Sequence, residues 1–125
     1  MLKPPRPVIL TVDRNQRNLE LLGQVLAQSG YETRAAGDLP AFAQALAADG
    51  IDLALVDIAG FDRRIWDFCE RLRDDGIPFL VLSPRQAAAL EEQSVAHGAR
   101  GMLIKPLAVQ ELLRLVARLL EEDEA

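Results

Sequence analysis

The chain has 125 residues, 50% hydrophobic and 26% charged, with 14 basic and 19 acidic side chains for a formal net charge of -5. That length suits one domain with a real core, the composition is far from disorder, and the acidic balance argues against a broad nucleic-acid surface. A single cysteine, Cys69, permits neither an intramolecular disulfide nor a cysteine-based zinc cluster; with no apolar run near the roughly 20 residues of a membrane span and no signal-peptide centre in MLKPPRP, the chain reads as cytoplasmic.

In chain order, VILTV (8–12) is a near-continuous apolar run, which is how a strand covered on both faces reads. Leu19, Leu22, Val25 and Leu26 then repeat at helical spacing, and Gly30 follows as a helix stop. YETRA (31–35) is more polar and reads as an edge strand. Asp38 and Pro40 open a second helix as N-cap and early-turn proline, with Phe42 and Leu46 on its apolar stripe and Gly50 after it. LALV (53–56) is the third strand, and Ile65, Phe68, Cys69 and Leu72 mark the third helix, closed by Gly76. FLVL (79–82) is the fourth strand, followed by an alanine-rich helix near 86–97 and by Gly98. MLI (102–104) is the fifth strand, again read as buried on both faces. A final helix over about 107–121 carries Leu112, Leu113, Val116, Leu119 and Leu120, and EEDEA reads as a fraying, solvated tail. KPPRP at the other end reads as linker material, leaving a domain core of about 7–121 within 1–125.

Five strands alternating with five helices imply a doubly wound α/β domain, a parallel sheet with helices on both faces. In such a sheet ligands bind beyond the carboxyl ends of the strands. The residues just past those ends are Asp13, Asp57, Ser83 and Lys105. Two carboxylates placed together call for a proton or a divalent cation, and an all-oxygen set suits Mg²⁺. Ser83 and Lys105 are placed to donate to an anion nearby. Together the four suit phosphoryl transfer.

The stretches VILTVD (8–13), DLALVDI (52–58), VLS (81–83) and GARGMLIKP (98–106), in that order and spacing, resemble the response regulator receiver domains of two-component signalling over nearly the whole chain. The resemblance implies a flavodoxin-like sheet of order 2-1-3-4-5 with Asp57 as phosphoacceptor. It implies Mg²⁺ held by Asp13, Asp57 and the backbone carbonyl of Ala59, with Lys105 and Ser83 binding the phosphoryl oxygens. The donor would be a histidine kinase or histidine phosphotransfer protein, at most assisted by self-catalysed transfer and dephosphorylation, and the readout a contact with a downstream protein. A cis bond at Lys105-Pro106 and a homodimer through helix 4, strand 5 and helix 5 belong to the same expectation, while charge and the lack of a long apolar run argue against direct contact with nucleic acid or membrane.

This sequence departs from that pattern in three places. Receivers resembling it carry two adjacent acids after strand 1, and here the second is Arg14, which competes electrostatically with Mg²⁺ and is able to pair with Asp57 instead. The loop after Asp57 reads IAGFDRR, without the family's usual turn, and Met102 stands where the family has a switch tyrosine or phenylalanine.

Plainer readings stand beside these. Asp13 is equally a cap for the helix starting near Asn15, Ser83 equally a turn-former before Pro84, and Arg14 equally a solvated side chain. Lys105 is one of two lysines, with Lys3, in an otherwise all-arginine basic set, which favours a chemical role. His97 reads as a helix-end donor, Cys69 as core, and Trp66 as a partly exposed flank of the third helix. The rival function is a pseudo-receiver, an interaction module in which Arg14 replaces the metal's charge and no phosphorylation occurs. A nucleotide or cofactor binder ranks last, because no glycine-rich phosphate loop follows strand 1.

Overall fold

The computed structural model describes residues 6–124; Lys3, Pro4 and Pro5 of the N-terminal linker reading lie outside them. Five strands and five helices alternate as β1 (Val8–Val12), α1 (Gln16–Gln28), β2 (Glu32–Ala36), α2 (Leu39–Ala47), β3 (Leu53–Asp57), α3 (Arg64–Asp74), β4 (Phe79–Ser83), α4 (Ala88–Ala96), β5 (Met102–Ile104) and α5 (Val109–Glu124). The strands form one parallel sheet of order β2-β1-β3-β4-β5. This is the flavodoxin-like fold, with β2 at one edge as its polarity requires.

Alternation along each strand sends successive side chains to opposite faces. Leu10, Val12, Ala54, Val56 and Val81 pack with Phe42, Leu46, Ile65, Cys69 and Leu72 of α2 and α3. Ile9, Leu53, Leu55, Leu80 and Leu82 pack with Leu26, Leu112, Val116 and Leu119 of α1 and α5. Both faces are covered, so strands β1, β3 and β4 are buried along their whole length. Burying each large apolar side chain fully, as with Phe42 and Phe79, contributes about 1.5–3 kcal/mol.

Helix ends follow the sequence signals. Asn15 and Asp38 cap α1 and α2 by accepting from the backbone N–H of Asn18 and Ala41, at 3.1 and 2.8 Å. Gly30, Gly50, Gly76 and Gly98 all take positive φ. At Gly98 the need is double, because φ is 106° and a Cβ would sit 2.8 Å from the Cβ of Arg73.

Three expectations are corrected. MLI is not buried on both faces: β5 is the second edge of the sheet, and Met102, Leu103 and Ile104 are all half-buried. The helix α5 runs on to Glu124, so the acidic end continues a helix instead of fraying after 121. Trp66 is only 9% exposed, because the His97 ring stacks on it with centroids 5.0 Å apart. Among the described residues no helix is long and apolar enough to cross a membrane.

Candidate functional site at the carboxyl edge of the sheet

Strand register assembles the site. Val12 pairs with Val56, so Asp13 and Asp57 leave neighbouring strands side by side. Asp57 pairs with Leu82 and Ser83 with Ile104, so Ser83 and then Lys105 each emerge one residue further along the same edge. Parallel pairing brings all four predicted residues to one place.

The two carboxylates are buried, with side chains 10% exposed for Asp13 and 4% for Asp57. Each is held from two sides. Asp13 Oδ1 accepts from the Asn15 N–H at 2.8 Å, a turn that leads into α1, and its Oδ2 accepts from Lys105 Nζ at 3.0 Å. Asp57 Oδ1 accepts from the Ala59 N–H at 2.9 Å, and its Oδ2 is paired with the same Lys105 ammonium. Lys105 therefore bridges both acids. Burial works against its charge, but its hydrogen bonds to Asp57 and Asp13, with their negative charges, outweigh that and raise its pKa above the ordinary 10.5. Two acids against one ammonium leave a net negative charge in a partly desolvated pocket, which is a place for a cation. The Lys105-Pro106 peptide bond is cis.

The remaining candidates are placed as follows. Ser83 is buried at the same edge, with its Oγ donating to the Arg85 carbonyl at 3.0 Å and accepting from the Arg85 N–H at 3.1 Å. Its hydroxyl thus closes the turn after β4. Arg14 is exposed and takes part in no ion pair among the described residues, so the pair with Asp57 is not formed and the side chain is solvated, as the plainer reading had it. Its guanidinium lies 5.7 Å from the centroid of the Phe61 ring, and its stem passes Gly60. Met102 lies on β5 facing α4, where the buried Ser94 hydroxyl donates to the Leu90 carbonyl at 2.8 Å and reaches the Met102 sulfur at 3.9 Å. Neither residue has an aromatic ring to rotate.

The sequence reading missed some positioning groups. Asn15, two residues after Asp13, holds that carboxylate while capping α1; a short polar residue at a strand-to-helix turn was its signal. His97 ends α4 as the sequence suggested, its backbone N–H donating to the Gln93 carbonyl at 3.1 Å, and its ring also meets Glu70 of α3 at 3.1 Å, a contact no local pattern announces.

Mg²⁺ needs only one or two protein carboxylates when water and phosphate oxygens complete its shell. Asp13 and Asp57 meet that need, although their four oxygens are already engaged by Lys105, Asn15 and Ala59. No group of three acidic, histidine or cysteine side chains placed to hold a metal ion occurs among the described residues. Two carboxylates are the part a protein commonly supplies to Mg²⁺, and receiver domains generally bind this ion for phosphorylation.

The response regulator receiver domain family matches residues 9–117, and the chain belongs to it. It is 32% identical over 124 residues to response regulator MprA of Mycobacterium ulcerans, covering 94% of this chain and 53% of that protein. It is 29% identical over 105 residues to heme response regulator HssR of Staphylococcus epidermidis, covering 83% of this chain and 47% of the other. The chain thus spans about half the length of these relatives. The CheY-like receiver domain protein of Methanospirillum hungatei superimposes with a TM-score of 0.88 at 24% identity, over 96% of this chain and 98% of that one, which shows the shared fold. A role in two-component signalling follows from family membership, and the pseudo-receiver alternative is not favoured. Receiver domains act with histidine kinases and with downstream effector domains.

Proposed function

We propose that Asp57 accepts a phosphoryl group from a phosphohistidine on a histidine kinase or phosphotransfer protein. A carboxylate oxygen of Asp57 forms the new P–O bond as the P–N bond to the donor imidazole breaks, and that imidazole keeps the bonding pair. The observation that carries this reading is Lys105, whose ammonium bridges two buried carboxylates where three strands end. A cation fixed there needs no rearrangement to meet the negative charge that reaches Asp57. The Ala59 N–H orients the carboxylate, and Ser83 offers its hydroxyl to the incoming oxygens once its turn contact to Arg85 opens. Mg²⁺, held by Asp13, Asp57 and the Ala59 carbonyl, would supply further charge neutralisation when bound, weakened by Arg14.

The domain is the receiver unit over 1–125, working in the cytoplasm. Its downstream contact is with a protein, and the face of α4, β5 and α5 would serve a homodimer. Intact mass after incubation with acetyl phosphate, with and without Mg²⁺, tests the reading: a phospho-adduct on the wild type that Asp57→Asn abolishes supports it. Equal labelling of both proteins overturns it.

A further inference from the structure

Two of the sequence's departures from the receiver pattern touch each other. Arg14 replaces an expected acid after β1, Gly60 and Phe61 belong to the unusual loop after Asp57, and the side chain of the first lies across the second pair. Gly60 has a φ of 81°, so the turn calls for glycine, and a Cβ there would come within 3.2 Å of the Arg14 Cγ, which shows how closely the arginine stem passes. The guanidinium beyond it sits 5.7 Å from the Phe61 centroid. This is near the outer limit of about 6 Å for a cation–π contact, and the arginine is exposed, so the ring holds it weakly.

The resting position therefore keeps a permanent cation on the very loop that begins at Asp57, with no carboxylate partner among the described residues. In the unmodified site Lys105 pairs with one oxygen of each acid, and Arg14 is paired with neither. A phosphoryl group on Asp57 changes the balance, because it adds a dianion to the site. A guanidinium binds such oxygens through two parallel N–H donors, which a ring face cannot match.

Resting on Asp57 being the acceptor, we propose that Arg14 is an anion-binding arm, which leaves Phe61 and closes on the phosphoryl group carried by Asp57. It takes over part of the charge neutralisation that a metal held by a further acidic residue would supply to the phosphoryl group, and it lowers the dependence of the modified state on Mg²⁺. In the unmodified state the same cation weakens Mg²⁺ binding.

The experiment compares wild type, Arg14→Ala and Arg14→Lys in two measurements. The first is adduct formation with acetyl phosphate, followed by intact mass from EDTA to saturating Mg²⁺. The expected result is a loss of about tenfold or more for Arg14→Ala at low Mg²⁺ that shrinks as Mg²⁺ rises, with partial rescue by Arg14→Lys. The second is a Mg²⁺ titration of the unmodified proteins by amide NMR at Asp57 and Ala59, where Arg14→Ala binds severalfold tighter than wild type. Labelling of Arg14→Ala equal to wild type at every Mg²⁺ level, or an unchanged Mg²⁺ affinity, overturns the proposal and leaves Asp57 as acceptor. No adduct on any of the three overturns both.

Discussion

Lys105 and Asp13 are 92 positions apart in the chain, and their side chains meet at 3.0 Å, with Asp57 on the other side of the same ammonium. This contact joins the first strand to the last loop and holds together two acids that would otherwise repel. Removing it by Lys105→Ala leaves two buried charges without a counterion and is expected to cost about 3 kcal/mol. Lys105→Arg restores only part of that, since a planar fork does not replace a point charge between two carboxylates. Urea denaturation at neutral pH measures both.

The pH response of this contact has a fixed sign. The Lys105 pKa is raised in the folded state, so its contribution is fully present below 10.5 and is lost as pH rises through the higher folded value. Cys69 acts in the same direction: burial foremost, with the nearby charge of Glu70, pushes its thiol from 9.0 up to about 12. The unfolded thiol ionises first, so stability falls between those values. Denaturation series from pH 8 to 11 should decline more steeply in wild type than in Cys69→Ala, by up to about 1.4 kcal/mol per pH unit. An equal slope in both would contradict the assignment.

Cys69 is also expected to be inert. Its thiolate is disfavoured and its side chain is fully buried, so a disulfide reagent at pH 8 should modify it only on unfolding, on the order of 100-fold slower than a free thiol. Stopped-flow reaction with and without urea provides the comparison.

Much of this was legible in the sequence, and the limits have physical causes. Strands β1, β3 and β4 read clearly because helices cover both of their faces, and parallel strands must all end at one edge, which is why Asp13, Asp57, Ser83 and Lys105 were found together. The fifth strand was misread because MLI is apolar although only half-covered; α4 offers it little besides the buried Ser94. Trp66 was misplaced because its cover, His97, comes from a distant helix. The position of Arg14 was beyond reach for the same reason: its partner Phe61 lies in another loop, and neither residue carries a local signal for the other.

Two glycines at helix ends separate backbone strain from crowding. Gly76→Ala meets open space and pays only for its positive φ of 74°, about 1 kcal/mol. Gly98→Ala pays that and also drives a Cβ to within 2.8 Å of Arg73, which must shift away from α4. Thermal melts should therefore place Gly98→Ala clearly below Gly76→Ala.

Ser83→Ala is expected to lose the turn bonds to Arg85 at a cost of about 1 kcal/mol. It also removes a donor to the phosphoryl oxygens, so adduct formation with acetyl phosphate should slow by less than about tenfold, since Lys105 remains. Labelling kinetics and urea denaturation on the same sample separate the two effects.

The most direct test of the central claim is to locate the phosphoryl group. The phosphorylated wild-type chain is reduced with borohydride, which converts an aspartyl phosphate to homoserine, and its peptides are sequenced by mass spectrometry. Conversion at Asp57 is the predicted result; conversion at Asp13 instead, or label recovered only on other residues, would contradict it.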